Sequence, residues 1–270
     1  MTFSAKVKDE ITSHPLNELE NRNLFLGYLF INAETVGDKL YLSLENSNTA
    51  QKLFKTIKYC YHKEVKTTVR TIKKFKAKRY FIFELTDAEG LFEEELDNIT
   101  FADEESIVSF IKGVFLAAGS LNDPKKSGYH LEITFQEEDK AKKILAILQD
   151  LNYNFKLLKR EKNYMLYLKS GEEISDFLKL LGAVNALFYF EDIRIYRDHA
   201  NMVNRLNNCE QANLEKSLST SDKQLSRIKY IKENDYMSLL DDKTKLVAEY
   251  RLKSGRIFPD SRGHHQQRSR

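Results

Sequence analysis

The chain has 270 residues, 41% of them hydrophobic and 31% charged, and a net charge of +3. That is enough apolar material for one large domain and a small one, but so slight a net charge does not by itself imply a nucleic-acid partner. With only Cys60 and Cys209, no secretory apolar run and no apolar stretch of about 20 residues, the composition argues against a disulfide scaffold, a zinc framework and a membrane span.

The first strong element is an apolar run, Phe25-Leu26-Gly27-Tyr28-Leu29-Phe30-Ile31-Asn32-Ala33, which returns as Ile111-Lys112-Gly113-Val114-Phe115-Leu116-Ala117-Ala118-Gly119. Both copies place a glycine inside a helical pattern, where it costs about 1 kcal/mol against alanine. Close approach of two helices across a pseudo-twofold axis offsets such a cost, so Gly27 and Gly113 are expected at the interface between two repeats. The flanking elements support duplication. A strand, Lys39–Leu44, follows the first run and Tyr129–Phe135 follows the second, both alternating as half-buried strands do. Amphipathic helices are expected next, at Thr49–Tyr61 with Leu53, Phe54, Ile57 and Tyr61 on one stripe, and at Glu137–Asp150 with Ala141, Ile144, Leu145 and Leu148. A hairpin closes on each: Val65–Ile72 with Arg79–Leu85, then Phe155–Leu158 with Tyr164–Leu168. A last helix is predicted near Ala88–Leu96 and again at Glu172–Leu181, where Ser170 and Glu173 have capping-box spacing. The order helix, strand, helix, hairpin, helix is thus read twice.

Charge is segregated along the first repeat. Lysines and arginines from Lys52 to Arg79 face a single acid, Glu64, and an acidic block from Asp87 to Glu105 follows. At the first hairpin tip, Lys73, Lys74, Lys76, Lys78 and Arg79 interleave with Phe75 and Tyr80. The second repeat offers Lys156, Lys159, Arg160 and Lys162. Such tips either contact phosphates or are solvated edges whose lysines guard a strand against pairing. The acidic helix around Leu91–Leu96 offers a dock for a partner or for basic linker residues.

Beyond the repeats lies a mostly helical stretch through Asn185–Phe190, Ile193, Ile195 and Tyr196. It leads into an asparagine-rich run, Asn201, Asn204, Asn207, Asn208 and Asn213, unusual for a helix interior because asparagine competes with the backbone for hydrogen bonds. With Arg205 at helical spacing, these residues either cap neighbouring segments or contact DNA; Cys209 among them is expected to be a buried thiol. Ser221–Lys232 and Asp241–Lys253 read as two further helices, the second carrying Leu246, Val247, Tyr250 and Leu252. His264-His265 lies in a polar tail and reads as solvent-exposed, and neither a phosphate loop nor a nucleophile elbow occurs.

The glycine-centred duplication resembles the LAGLIDADG homing-endonuclease fold, whose motif helix ends in an acid that holds a catalytic metal. Aligned on Gly27 and Gly113, that position holds Asn32 and Ala118. Neither neutralises a divalent ion, so metal-dependent nuclease activity is the disfavoured reading. Asp123, in Asn122-Asp123-Pro124, is the nearest replacement acid and otherwise a turn residue. A narrower resemblance rests on Gly113-Val114-Phe115-Leu116-Ala117-Ala118-Gly119-Ser120-Leu121-Asn122-Asp123-Pro124, Gly128-Tyr129-His130-Leu131-Glu132 and the stretch Asn201–Leu214. These are similar to the signatures of the WhiA family of bacterial regulators.

The resemblance implies an α+β chain: two pseudo-symmetric LAGLIDADG-like αββαββα-type repeats, a helical linker and an incomplete helix-turn-helix domain. It divides as an N-terminal helical segment (1–20), a degenerate LAGLIDADG-like domain (21–182, with repeats 21–100 and 101–182), a linker (183–217), a partial helix-turn-helix domain (218–253) and a disordered tail (254–270). It further implies a monomeric, cytoplasmic, nucleoid-associated, non-enzymatic regulator of cell division and chromosome segregation, of sporulation in some relatives, that binds double-stranded DNA without cofactor or metal. Protein partners in transcription or division are also implied, and the alternative is a partner-binding platform without DNA affinity. The DNA contacts expected are Lys73, Lys74, Lys76, Lys78, Arg79, Lys159, Arg160, Lys162, Arg205, Arg227, Lys229, Lys232, Arg251 and Lys253. Where the family continues with a recognition helix, residues 254–270 show no amphipathic period and do not supply one. The abrupt change in character points to a frameshifted gene ahead of a truncated one or a genuine variant.

Overall fold

A computed structural model describes residues 1–73, 77–87 and 90–254. The chain forms two compact units, Met1–Tyr196 and Arg197–Arg270.

In the first unit, α1 (Phe3–Ser13) buries Phe3, Val7 and Ile11, one turn apart, against the core. Two αββαββα repeats follow. The first is α2 (Glu18–Asn32), β1 (Ala33–Val36), β2 (Lys39–Leu44), α3 (Ser47–Cys60), β3 (Val65–Lys73), β4 (Ala77–Thr86) and α4 (Leu91–Asp97). The second is α5 (Glu104–Ala118), β5 (Gly119–Leu121), β6 (Leu131–Phe135), α6 (Glu138–Asp150), β7 (Lys156–Arg160), β8 (Asn163–Leu168) and α7 (Gly171–Leu180). Each repeat builds a four-stranded antiparallel sheet, in the orders β1-β2-β4-β3 and β5-β6-β8-β7. The strands β1 and β5 are absent from the chain-order reading above. At four and three residues they are too short to show alternation.

α2 and α5 pack along each other at the centre. A Cβ built on Gly27 would overlap the carbonyl oxygen of Phe110, and one on Gly113 the carbonyl oxygen of Leu24. Each glycine therefore faces the residue three positions before the other, so the contact obeys the pseudo-twofold axis. α2 starts on a capping box, with the Asn17 side chain accepting from Glu20 N at 2.9 Å and the Glu20 carboxylate accepting from Asn17 N at 2.7 Å. At α7 the Ser170 hydroxyl accepts from Glu173 N at 3.5 Å.

Much of the acidic block has local work. Both carboxylate oxygens of Asp87 accept from the first amides of α4, Leu91 N and Phe92 N, at 3.1 Å. Asp103 caps α5 through Ser106 N at 2.8 Å, and hydrogen bonding from the Ser106 side chain, then from this amide, holds its carboxyl below the usual range. Glu93, Glu94, Glu104 and Glu105 occupy first turns, where the helix dipole favours negative charge. Glu95 accepts from the Tyr61 hydroxyl at 2.9 Å.

Next comes α8 (Val184–Glu233), then a 3-10 turn (Tyr236–Leu239) and α9 (Asp242–Ser254). Ser221–Lys232, read above as a helix of its own, is the last part of α8. Between Val184 and Ser254 there is no glycine or proline to interrupt it. In the second unit α9 meets α8 through Ala248, which is buried, and through Arg251, whose guanidinium donates to Ser221 Oγ and Gln224 Oε1 at 3.4 and 3.2 Å.

Candidate nucleic-acid interface

The edge strand β3 carries Lys66, Arg70 and Lys73, and the edge strand β7 carries Lys156, Lys159 and Arg160. From Lys66 to Thr71, β3 is exposed on both faces, and its register with β4 places Thr71 opposite Arg79 and Arg70 opposite Tyr80. Arg79 is exposed. Lys74 and Lys76 lie outside the described residues, as do the side chains of Lys73 and Lys78. Toward the strand base, Glu84 takes Lys39 at 2.6 Å and Lys66 at 3.6 Å, and the bond from Lys39 holds its carboxyl low. That acid neutralises the base of the sheet and leaves the arginines of the far end unopposed by it. In the second repeat Lys159, Arg160 and Lys162 are exposed at the β7–β8 turn, which Glu161 makes with φ 51°. The Lys159 ammonium lies 5.3 Å from the Tyr164 ring centroid. Two cationic hairpins thus occupy equivalent places in the two repeats.

The ends of α2 and α5 meet a cavity of about 730 Å³, whose lining includes Lys8, Asn32, Glu45, Thr49, Ala118 and Lys140. Asn32 and Ala118 are the last residues of their helices. Lys8 was not singled out from the sequence, since nothing in the period of α1 says where its side chain ends. Its ammonium donates to Leu116 O at 3.0 Å, at the negative end of α5. Burial pulls its pKa down to about 8, and Glu45 opposes the shift. At the helix ends themselves stand a neutral amide and a methyl group, neither of which neutralises a divalent cation, with the Lys8 ammonium in the same cavity, whose wider lining includes Glu34, Glu45 and Glu137. Among the described residues no group of three His, Cys, Asp or Glu is placed to hold a metal. Asp123 lies in a turn, its side chain accepting from Lys125 N at 3.0 Å and from the Tyr189 hydroxyl at 3.1 Å.

In the second unit Arg205, Arg227, Lys229, Lys232 and Lys253 are exposed, whereas Arg251 is half-buried and turned toward α8. Two expectations are corrected here. Cys209 is exposed, not buried. The asparagines from Asn201 to Asn213 cap no neighbouring segment among the described residues: all are exposed, and Asn213 Nδ2 donates to Cys209 Sγ at 3.7 Å. Both differences have one cause, that among the described residues no packed layer covers this part of α8. His264-His265 and the rest of residues 255–270 lie outside the described residues.

Three family models match: the WhiA N-terminal LAGLIDADG-like domain at residues 31–98, the WhiA LAGLIDADG-like domain at 107–200 and the WhiA C-terminal HTH domain at 203–257. A Staphylococcus aureus relative named "Probable cell division protein WhiA" is 35% identical over 273 aligned residues, spanning 95% of this chain and 87% of that protein. The crystal structure of full-length DUF199/WhiA from Thermatoga maritima matches with a TM-score of 0.67 at 28% identity, covering 94% of this chain and 87% of that one. The N-terminal LAGLIDADG domain of DUF199/WhiA matches at 0.58, also 28% identical, over 67% of this chain and 90% of that one.

Proposed function

The chain belongs to the WhiA family, and from that premise we propose that it is a non-enzymatic, DNA-binding regulator of cell division and chromosome segregation. The observation that carries the reading is the coexistence of a helix-turn-helix match over residues 203–257 with exposed cations on equivalent hairpins of a duplicated domain. Phosphate contacts by Arg79, Lys159, Arg160 and Lys162, with Lys73, Lys74, Lys76 and Lys78 beside them in sequence, supply sequence-independent affinity. Arg205, Arg227, Lys229, Lys232 and Lys253 add to it from the second unit. Arg251 acts through its hold on Ser221 and Gln224. The ends of the motif helices, with Asn32, Ala118 and the Lys8 ammonium, support a binding role for the nuclease-like domain rather than cleavage. Double-stranded DNA is the partner, the site of action is the nucleoid, and the protein acts as a monomer.

Fluorescence anisotropy with a labelled duplex tests this reading. Log affinity should fall linearly with log salt. Substituting Lys73, Lys74, Lys76, Lys78 and Arg79 by glutamine should flatten the slope by close to one unit per lost phosphate contact, with little change in sequence preference, since phosphates position and base edges specify. Salt-independent or absent duplex binding by the wild-type chain would overturn the DNA reading and put the partner-platform reading first. An unchanged slope in the variant would make the first hairpin a solvated edge.

A further inference from the structure

The asparagine run of α8 is unexplained by anything packed against it. Asparagine is a poor helix former because its amide competes with the backbone, and a helix face that merely meets water is ordinarily built from glutamate, lysine, arginine or glutamine. Here Asn201, Asn204 and Asn208 recur with Arg205 at helical spacing, all exposed, and none of the three amides bonds to another described residue. Gln211 continues the same face, with Nε2 donating to Glu215 at 3.0 Å, and Ala212 lies between the longer side chains. From Asn201 to Ala212 this face bears no acid, while the apolar residues Met202, Val203 and Leu206 fall outside it on the flank and the far side.

We infer that this face of α8, centred on Asn204, Arg205 and Asn208, reads base edges in the major groove of duplex DNA. The inference rests on the DNA-binding reading above and deepens it by naming the specificity-determining side chains. A carboxamide presents a donor beside an acceptor and pairs with the N6 and N7 edge of adenine; a guanidinium pairs with O6 and N7 of guanine. The residues from Asn201 to Gln211 span about 15 Å of helix, the length of roughly four base-pair steps, and the major groove admits an α-helix. Loss of helix propensity without a structural return is then the cost of a recognition surface.

Selection of bound sequences from a randomised duplex pool, comparing the wild type with the double variant Asn204→Ala, Asn208→Ala, tests it. Alanine is the better helix former at both positions, so circular dichroism should show a melting temperature no lower than wild type. The wild type should enrich a motif containing adenine and guanine. The variant should lose the adenine enrichment by tenfold or more while its low-salt affinity for a duplex of random sequence stays within about threefold, since no charged contact is removed. A wild type that binds duplex without enriching any motif, or a variant that enriches the same motif equally well, overturns this inference and leaves the general DNA-binding reading standing. A wild type that retains no duplex overturns both.

Discussion

At the residue scale, the central glycines set helix propensity against packing. Gly27→Ala or Gly113→Ala should stabilise an isolated helix by about 1 kcal/mol, yet the added Cβ would overlap a backbone carbonyl of the opposite helix. Backbone cannot turn aside as a side chain can, so overpacking wins. Either substitution should destabilise the chain by about 1–3 kcal/mol or more, read as a lower urea midpoint; a raised midpoint would mean that the helices do not meet there. Lys8 makes a prediction of the opposite kind. Unfolded, it keeps its proton to near its ordinary pKa of 10.5; folded, burial brings the pKa to about 8. Between those values the unfolded chain binds more protons, so the burial penalty is relieved and stability rises with pH. Glu45 faces the ammonium, and Glu34, Glu137 and Lys140 line the same cavity. Thermal scans from pH 7 to 10 should therefore show wild type gaining stability relative to Lys8→Met. A difference that does not vary with pH would show that the charge is not buried.

At the element scale, α1 is tied to three other elements through three consecutive residues. Lys8 reaches the end of α5, Asp9 Oδ1 accepts from Asn46 Nδ2 at 2.7 Å, and Glu10 accepts from Asn185 N and Ala186 N at 2.6 and 3.1 Å. The last pair satisfies orphan amides at the start of α8. Asn46 has two jobs, because its side-chain oxygen also caps α3 through Thr49 N at 2.8 Å. Asn46→Ala removes both bonds and should cost about 1–2 kcal/mol, whereas Asn46→Asp keeps the cap but sets a carboxylate against Asp9. Equal stabilities for the wild type and the alanine variant in chemical denaturation would contradict the dual role. The hairpins show the same economy at a larger scale, since Lys66, Arg70, Lys156, Lys159 and Arg160 lie on the edge strands, where lysine and arginine also discourage pairing with another sheet.

At the scale of the whole molecule, the buried apolar residues run from Phe3 to Phe190, with Ala248 the one that falls in the second unit among the described residues. In that unit Met202, Leu206, Leu214, Tyr230, Leu239, Leu246 and Tyr250 are exposed. The fragment Met1–Tyr196 should accordingly unfold cooperatively with the midpoint of the full chain, and residues 197–254 alone should show a broad, weakly cooperative loss of helix. Calorimetry on the two fragments checks this. A sharp transition from the second fragment would require a core that its described residues do not form.

The amino-acid sequence alone determined the duplication, because glycine within an apolar helical period, strand alternation and hairpin spacing are local signals that survive without knowing the neighbours. It also carried the family signatures and the basic hairpin tips. Strands as short as β1 and β5 lie below the length at which alternation can be seen. The merging of Ser221–Lys232 into α8 and the exposure of Cys209 and the asparagines were decided by which surfaces acquire a packed neighbour. So was the reach of Lys8 to Leu116, a contact between residues far apart in the chain. The acidic block shows the division most plainly: its charge is legible in one dimension, but only the position of α4 and α5 turns Asp87 and Asp103 into caps. Composition says which groups are present; tertiary structure decides which of them still face water, and those are the groups on which the proposed DNA contact rests.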